Sequence, residues 1–207
     1  LIFRLQKTLE YFYRVESPVL AQEHRISESQ LRALFGRGFN IPRREALYVS
    51  QSAENDTDLG LFIEASQVHD AEKFVRAPQS GSLDAFCVAL EGVSHFLYLS
   101  YCASALQRPV SQLELELQAE VDKFLVLRLL FGIKDAATRL FTNFRLHENV
   151  PKNEQERYRI AHRQAQRYAQ SAESRFHEGK ITSVVDDARR FYRKPMSCKL
   201  AHIAVNA

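Results

Sequence analysis

Glu91 and His95 stand one helical turn apart inside DAFCVALEGVSHFLYLSYCASAL, residues 84–106, the most apolar stretch of the chain. An acid and an imidazole at that spacing share a helix face. Together they can pass a proton, hold a metal ion or satisfy one another. Further along, QLELELQAEVDKFLVLRLLFG places Glu116 and Glu120 beside a core face of Leu113, Leu117, Val121 and Phe124. Projected at about 100° per residue, the first segment has one face of Phe86, Leu90, Val93 and Leu97. Its other stripe is Glu91, His95, Tyr98 and Cys102. Two helices joined by a link as short as QRPVS are expected to run antiparallel, which brings Glu91, His95, Tyr98, Glu116 and Glu120 towards one candidate site.

Carboxylates and imidazoles facing one another inside a bundle are the donors that metal and dimetal centres use. The spacing argues the other way. The pair in this stretch is Glu-x-x-x-His, where di-iron bundles use Glu-x-x-His, and the second acid pair brings no histidine. The expectation is a structural polar network with no metal and no cofactor, because polar groups buried alone are costly. In it His95 donates a hydrogen bond to Glu120, or otherwise to Glu91 or Glu116, and Tyr98 closes the chain. Such pairing implies a charged imidazole of raised pKa, the reverse of a metal ligand's neutral ring. It also implies that His95→Ala costs about 1–3 kcal/mol.

A second chemistry lies in charge. From Arg157 to Lys199 there are eleven Lys and Arg against four acids, in a chain whose net charge is only +3. On one predicted helix Arg159, Arg163 and Arg167 recur every four residues, and Arg189, Arg190 and Arg193 follow in DDARRFYRK. A ridge of this kind can neutralise phosphates of nucleic acid or an anionic protein surface. It can also be a solvated face whose Arg stems cover apolar neighbours, and the latter is preferred. Within this helix RYRIAH sets Arg157 five residues before His162. The element resembles the Arg-x4-His of the HEPN ribonucleases, all-helical and often dimeric proteins, and implies RNA cleavage by that Arg and His. The resemblance covers this element alone. A five-residue step also sets the two side chains about 140° apart on a regular helix.

The elements that would position these residues are mostly helical. LIFRLQKTLEYFYRVE is amphipathic, with Ile2, Leu5, Leu9, Phe12 and Tyr13 on one side. ISESQLRALFG reads as a short helix capped by Ser27 and stopped at Gly36. EALYVSQSAENDTDLGLFIEAS breaks the helical period. Two β-branched and aromatic runs flank Glu54-Asn55-Asp56, a β-hairpin of about 46–52 and 59–65 with an exposed edge. From Leu83 onward the pattern is helical: 83–106 capped by Ser82, 111–131 capped by Ser111, a shorter helix in DAATRLFTNFRLHE, a long one ending at Gly179, and two short ones.

The length of 207 residues, 45% hydrophobic and 26% charged, suits a single domain over 1–207 with a sizeable core. The fold class expected is mainly α, a bundle around the pair 83–106 and 111–131, with a hairpin at about 46–65 and a basic segment at about 152–203. No apolar run approaches the roughly 20 residues a membrane span needs, and the opening shows no secretory signal pattern. Three unpaired-looking cysteines, Cys87, Cys102 and Cys198, without C-x-x-C spacing, fit a reducing, cytoplasmic setting. Gly-rich phosphate loops, G-x-S-x-G and H-E-x-x-H are missing. The function expected is therefore a non-catalytic intracellular interaction or regulatory module. It would bind a protein partner or a second copy through the hairpin edge or the basic face. The alternatives are a metal-binding or hydrolytic bundle enzyme centred on Glu91, His95, Glu116 and Glu120, and, behind it, nucleic-acid binding or HEPN-like RNA cleavage.

Overall fold

Three serines begin three helices. Ser27 forms a full capping box with Gln30 at the start of Glu28–Phe35. Ser82 accepts from the Ala85 N–H and opens Leu83–Ser104, and Ser111 accepts from the Glu114 N–H and opens Gln112–Leu125. Each hydroxyl satisfies one of the N–H groups that a helix start leaves without a partner. The computed structural model describes residues 1–41, 44–51, 57–79, 81–142 and 152–206. Among them the chain order is α1 (Ile2–Tyr13), α2 (Glu28–Phe35), β1 (Glu45–Gln51), β2 (Thr57–Ile63), α3 (Ala65–Arg76), α4 (Leu83–Ser104), α5 (Gln112–Leu125), α6 (Ala136–Phe141), α7 (Lys152–His177), α8 (Ile181–Tyr192) and α9 (Met196–Asn206). α5 runs on into a π-helical turn, Val126–Leu130. The protein is mainly α, a helical bundle with one small hairpin in its N-terminal third.

α4 is the central element. It packs against α1, α3, α5 and the hairpin, and α5 packs in turn against α7. The pairs Ser94–Asp122 and Tyr98–Glu114 show α4 and α5 antiparallel, as their short link requires. Contacts Glu116–Arg157, Glu120–His162 and Arg128–Glu173 advance together along α5 and α7, so these two run parallel. The expected core residues Leu90, Val93, Leu97, Leu117, Val121 and Phe124 are all buried in one continuous cluster. Among the described residues α4 is the one helix long and apolar enough, by composition, to cross a membrane, and 83% of that stretch is buried inside the protein. Its polar stripe does not lower its apolarity as far as expected. The fold absorbs that apolarity as core.

The hairpin is antiparallel, with Glu45 opposite Ile63 and Gln51 opposite Thr57. The expected turn residues Glu54, Asn55 and Asp56 lie outside the described residues. Two corrections concern its flank. The second strand is expected to reach Ala65, but α3 begins there, a helix that the sequence reading does not place between the hairpin and Leu83. Val68, Ala71, Phe74 and Val75 carry the 3.6-residue period that places this helix, with Phe74 stacked on Phe86 of α4.

Candidate functional site

Four elements converge on one polar cluster: Glu45 from β1, Glu91 and His95 from α4, Glu116, Glu120 and Lys123 from α5, and Arg157 and His162 from α7. The sequence expectation of a shared site for Glu91, His95, Glu116 and Glu120 matches this arrangement, but the internal pairing differs. Lys123 is the hub. Its ammonium lies 2.5 Å from Glu91 and 2.7 Å from Glu120, although only 7% of the residue is exposed. Burial opposes its charge, but the carboxylates of Glu120 and Glu91 outweigh it and hold Lys123 firmly protonated. Burial equally disfavours the Glu120 carboxylate, and Lys123 with His162 nevertheless brings it down to about 2.

His95 is not bonded to Glu120. Its nearest carboxylate is Glu116, 3.6 Å from Nε2, and Nε2 is a buried nitrogen with no hydrogen-bond partner. Burial lowers the pKa of the ring, so His95 is neutral, the opposite of the paired imidazolium expected. Glu120 is taken by Lys123 and lies 3.8 Å from Nδ1 of His162, which explains why it leaves His95 unserved. Glu116 is pushed up to about 8 by burial and by the charge of Glu91, against the pull of Arg157 at 3.6 Å. Glu45 is raised as well, by burial and then by Glu91 and Glu116, and its Oε2 is enclosed without a partner.

Tyr98 belongs elsewhere. Its hydroxyl donates to Glu114 at 2.6 Å, and Arg108 donates to both. Three residues beyond His95 is about 300° of rotation, and the long phenol reaches α9 instead. There a second buried network begins. Asp122 accepts from Tyr13 and Ser94, each at 2.5 Å, and from Gln118 at 2.7 Å. Lys199 donates to Gln118 and lies over the rings of Tyr98 and Phe191. It is wholly buried, and burial lowers it to about 7. Sequence reasoning missed Glu45, Lys123, Gln118, Asp122 and Lys199. The only signal was polar residues inside apolar runs such as AEVDKFL and SCKLAHI.

The basic candidates divide. Arg159, Arg163 and Arg167 are exposed along α7. Arg189 donates to the Phe12 carbonyl and Arg193 to those of Tyr13 and Arg14, so both cap the C-terminus of α1. Arg190 lies 3.7 Å from Asp187. Arg157 and His162, the pair at Arg-x4-His spacing, both reach α5, at Glu116 and Glu120 respectively.

Among the described residues, Glu45, Glu91 and His95 offer donor atoms that all lie within 4.8 Å of one another. One imidazole nitrogen and two carboxylates are also a proton-transfer set. The thiol nearest the cluster is no nucleophile, since burial pushes Cys87 up to about 12. Comparison with known proteins returns no match: no family model, no curated protein and no solved structure is similar to this chain.

Proposed function

We propose that this chain is a helical-bundle enzyme of hydrolytic type, with its active centre at Glu91, His95, Glu116 and Glu120, extended by Glu45, Lys123, Arg157 and His162. The observation that carries the reading is the His95 Nε2, buried against carboxylates from three elements and bonded to none of them. A structural network closes such an atom, since an unsatisfied buried polar group costs about 1–3 kcal/mol. A site leaves it for a ligand. The two acids of α5 support the same reading. They sit one turn apart, yet Glu120 is held ionised and Glu116 protonated at neutrality, and carboxyl groups pushed apart in this way take opposite acid and base roles. Lys123 holds Glu91 and Glu120 in place, and Arg157 flanks Glu116. The three cysteines are all free thiols, which suits the reducing, cytoplasmic setting proposed for it.

The test is Glu116→Gln and His95→Gln, near in size to the native residues. The reading expects unfolding free energies unchanged or raised by about 1 kcal/mol, because active centres trade stability for function. It also expects Glu116→Gln to abolish turnover of whichever chromogenic phosphate or carboxylic ester the wild type hydrolyses. A loss of about 1–3 kcal/mol in both variants returns the cluster to a purely structural role.

A second reading, an interaction module, has its own observation. The β2 edge is occupied by the 24–26 segment, through Ile26 N–H to the Leu61 carbonyl and Leu61 N–H to the His24 carbonyl. Among the described residues β1 pairs with β2 alone, and near it Leu34, Phe35 and Val49 are exposed. A protein partner or second copy would add to β1. Sedimentation of the wild type against Val49→Lys tests it, with a partner-free monomer in both as the contrary result.

A further inference from the structure

We propose that this centre holds one divalent transition-metal ion, ligated by Glu45, Glu91 and His95, and that Lys123 stands where a second ion of a carboxylate-bridged pair would sit. The inference rests on the site reading above and names its cofactor.

The donors come from two rigid elements. Glu91 and His95 lie four residues apart on α4, so one face presents both at a fixed separation. Glu45 arrives from β1 because residue 92 is glycine: a Cβ there would lie 3.2 Å from the Glu45 Oε2 and 3.1 Å from Leu61. Donors bound to one ion at about 2.1 Å lie up to about 4 Å apart. Side-chain shifts of about an ångström therefore close a set already within 4.8 Å. Two of the three donors bring atoms that the protein itself leaves open, the His95 Nε2 and the Glu45 Oε2, and His95 is only 7% exposed. A nitrogen beside two carboxylate oxygens suits zinc, manganese or iron(II), where calcium and magnesium prefer oxygen alone.

The fixed cations set the number of ions. The Lys123 ammonium already faces Glu91 and Glu120, and Arg157 lies 3.6 Å from Glu116 and 3.0 Å from Glu154. Beyond Lys123 the ligand types recur, with Glu116 and Glu120 one turn apart on α5 and His162 facing Glu120 from α7. That half resembles a second ligand set, but its bridging position between Glu91 and Glu120 is filled by the Lys123 ammonium at 2.5 and 2.7 Å. A lysine does there what a second cation does in a dinuclear centre, and it needs no loading.

The experiment uses the full chain, stripped with chelator and dialysed against Zn²⁺, Mn²⁺ or Co²⁺ alone, with the bound ion counted by elemental analysis. One ion per chain is expected, with a visible Co²⁺ absorption band showing an imidazole-carboxylate environment. Glu45→Gln and His95→Gln, folded by circular dichroism, are each expected to weaken binding by about tenfold or more. Glu64→Gln, a surface carboxylate outside the cluster, is expected to bind as wild type does. No bound ion, or equal binding by both ligand variants, overturns the metal. In that case Glu116→Gln, if stabilising, still leaves the acid-base site standing, so the two readings fail separately. Two ions per wild-type chain overturn the role given to Lys123. Lys123→Gln, where it folds, is expected to take up a second ion, and one ion there overturns it as well.

Discussion

Two buried lysines show how far neighbours decide a residue's chemistry. Lys123 lies among carboxylates and keeps its proton, whereas Lys199 lies between the Tyr98 and Phe191 rings, and burial brings it to about 7. Both rings favour the ammonium, as do Glu114 and Asp122, but desolvation outweighs them, with Arg108 adding to it. A lysine whose folded pKa is depressed binds fewer protons in the native than in the unfolded state between pH 7 and about 10.4. Stability from this group therefore rises with pH across that window, and its cost is fully present below pH 7. Lys199→Met is expected to stabilise most at pH 7 and progressively less towards pH 10, read from urea unfolding at several pH values. Equal loss at every pH would mean a charged, paired lysine. Lys123→Gln is expected to cost about 3–5 kcal/mol in the metal-free protein, since it leaves buried carboxylates uncompensated.

At the scale of elements, Gly92 is where helix and hairpin settle their distance. Glycine inside a helix costs about 1 kcal/mol relative to alanine, yet a Cβ at this position would press on Leu61, Ile63 and Glu45 at 3.1–3.2 Å. All three are side-chain ends, which can yield by a few tenths of an ångström. Gly92→Ala is therefore expected to leave the unfolding free energy within about 1 kcal/mol of wild type while displacing Glu45, lowering metal affinity by about tenfold. Unchanged affinity would show that Glu45 does not depend on this close approach. The α1 C-terminus poses a similar question. Arg189 and Arg193 reach it from α8 across most of the chain, and the double change to alanine is expected to cost about 1–2 kcal/mol by freeing those carbonyls.

Over the whole molecule one apolar cluster runs from Ile2 of α1 to Ile203 of α9, and every long helix contributes to it. Elements that share a core lose their packing together. Far-ultraviolet and near-ultraviolet circular dichroism are accordingly expected to report a single coincident denaturant transition, and two separated transitions would divide the chain into independent units. The ridge of Arg159, Arg163 and Arg167 stays on the surface, and substituting these residues is expected to change stability by less than about 0.5 kcal/mol.

Local patterns made much of the architecture legible. Serine caps, the 3.6-residue period of Leu90, Val93 and Leu97, and the β-branched and aromatic runs either side of Glu54-Asn55-Asp56 each act within a few residues, so they are written in the neighbouring sequence. The same holds for the pairing of α4 with α5, since a short link leaves no other direction. Which polar residues would meet was partly legible too: Glu91, His95, Glu116 and Glu120 do share one cluster. Their partners were not, because Glu45 and Lys123 enter through packing between elements far apart in the chain, and Tyr98 departs along a side chain whose reach depends on α9. Only the tertiary structure decided that Lys123 takes Glu91 and Glu120, leaving a neutral His95 with an open nitrogen. Burial and charge at that point are sums over four elements, and no single stretch of sequence contains them.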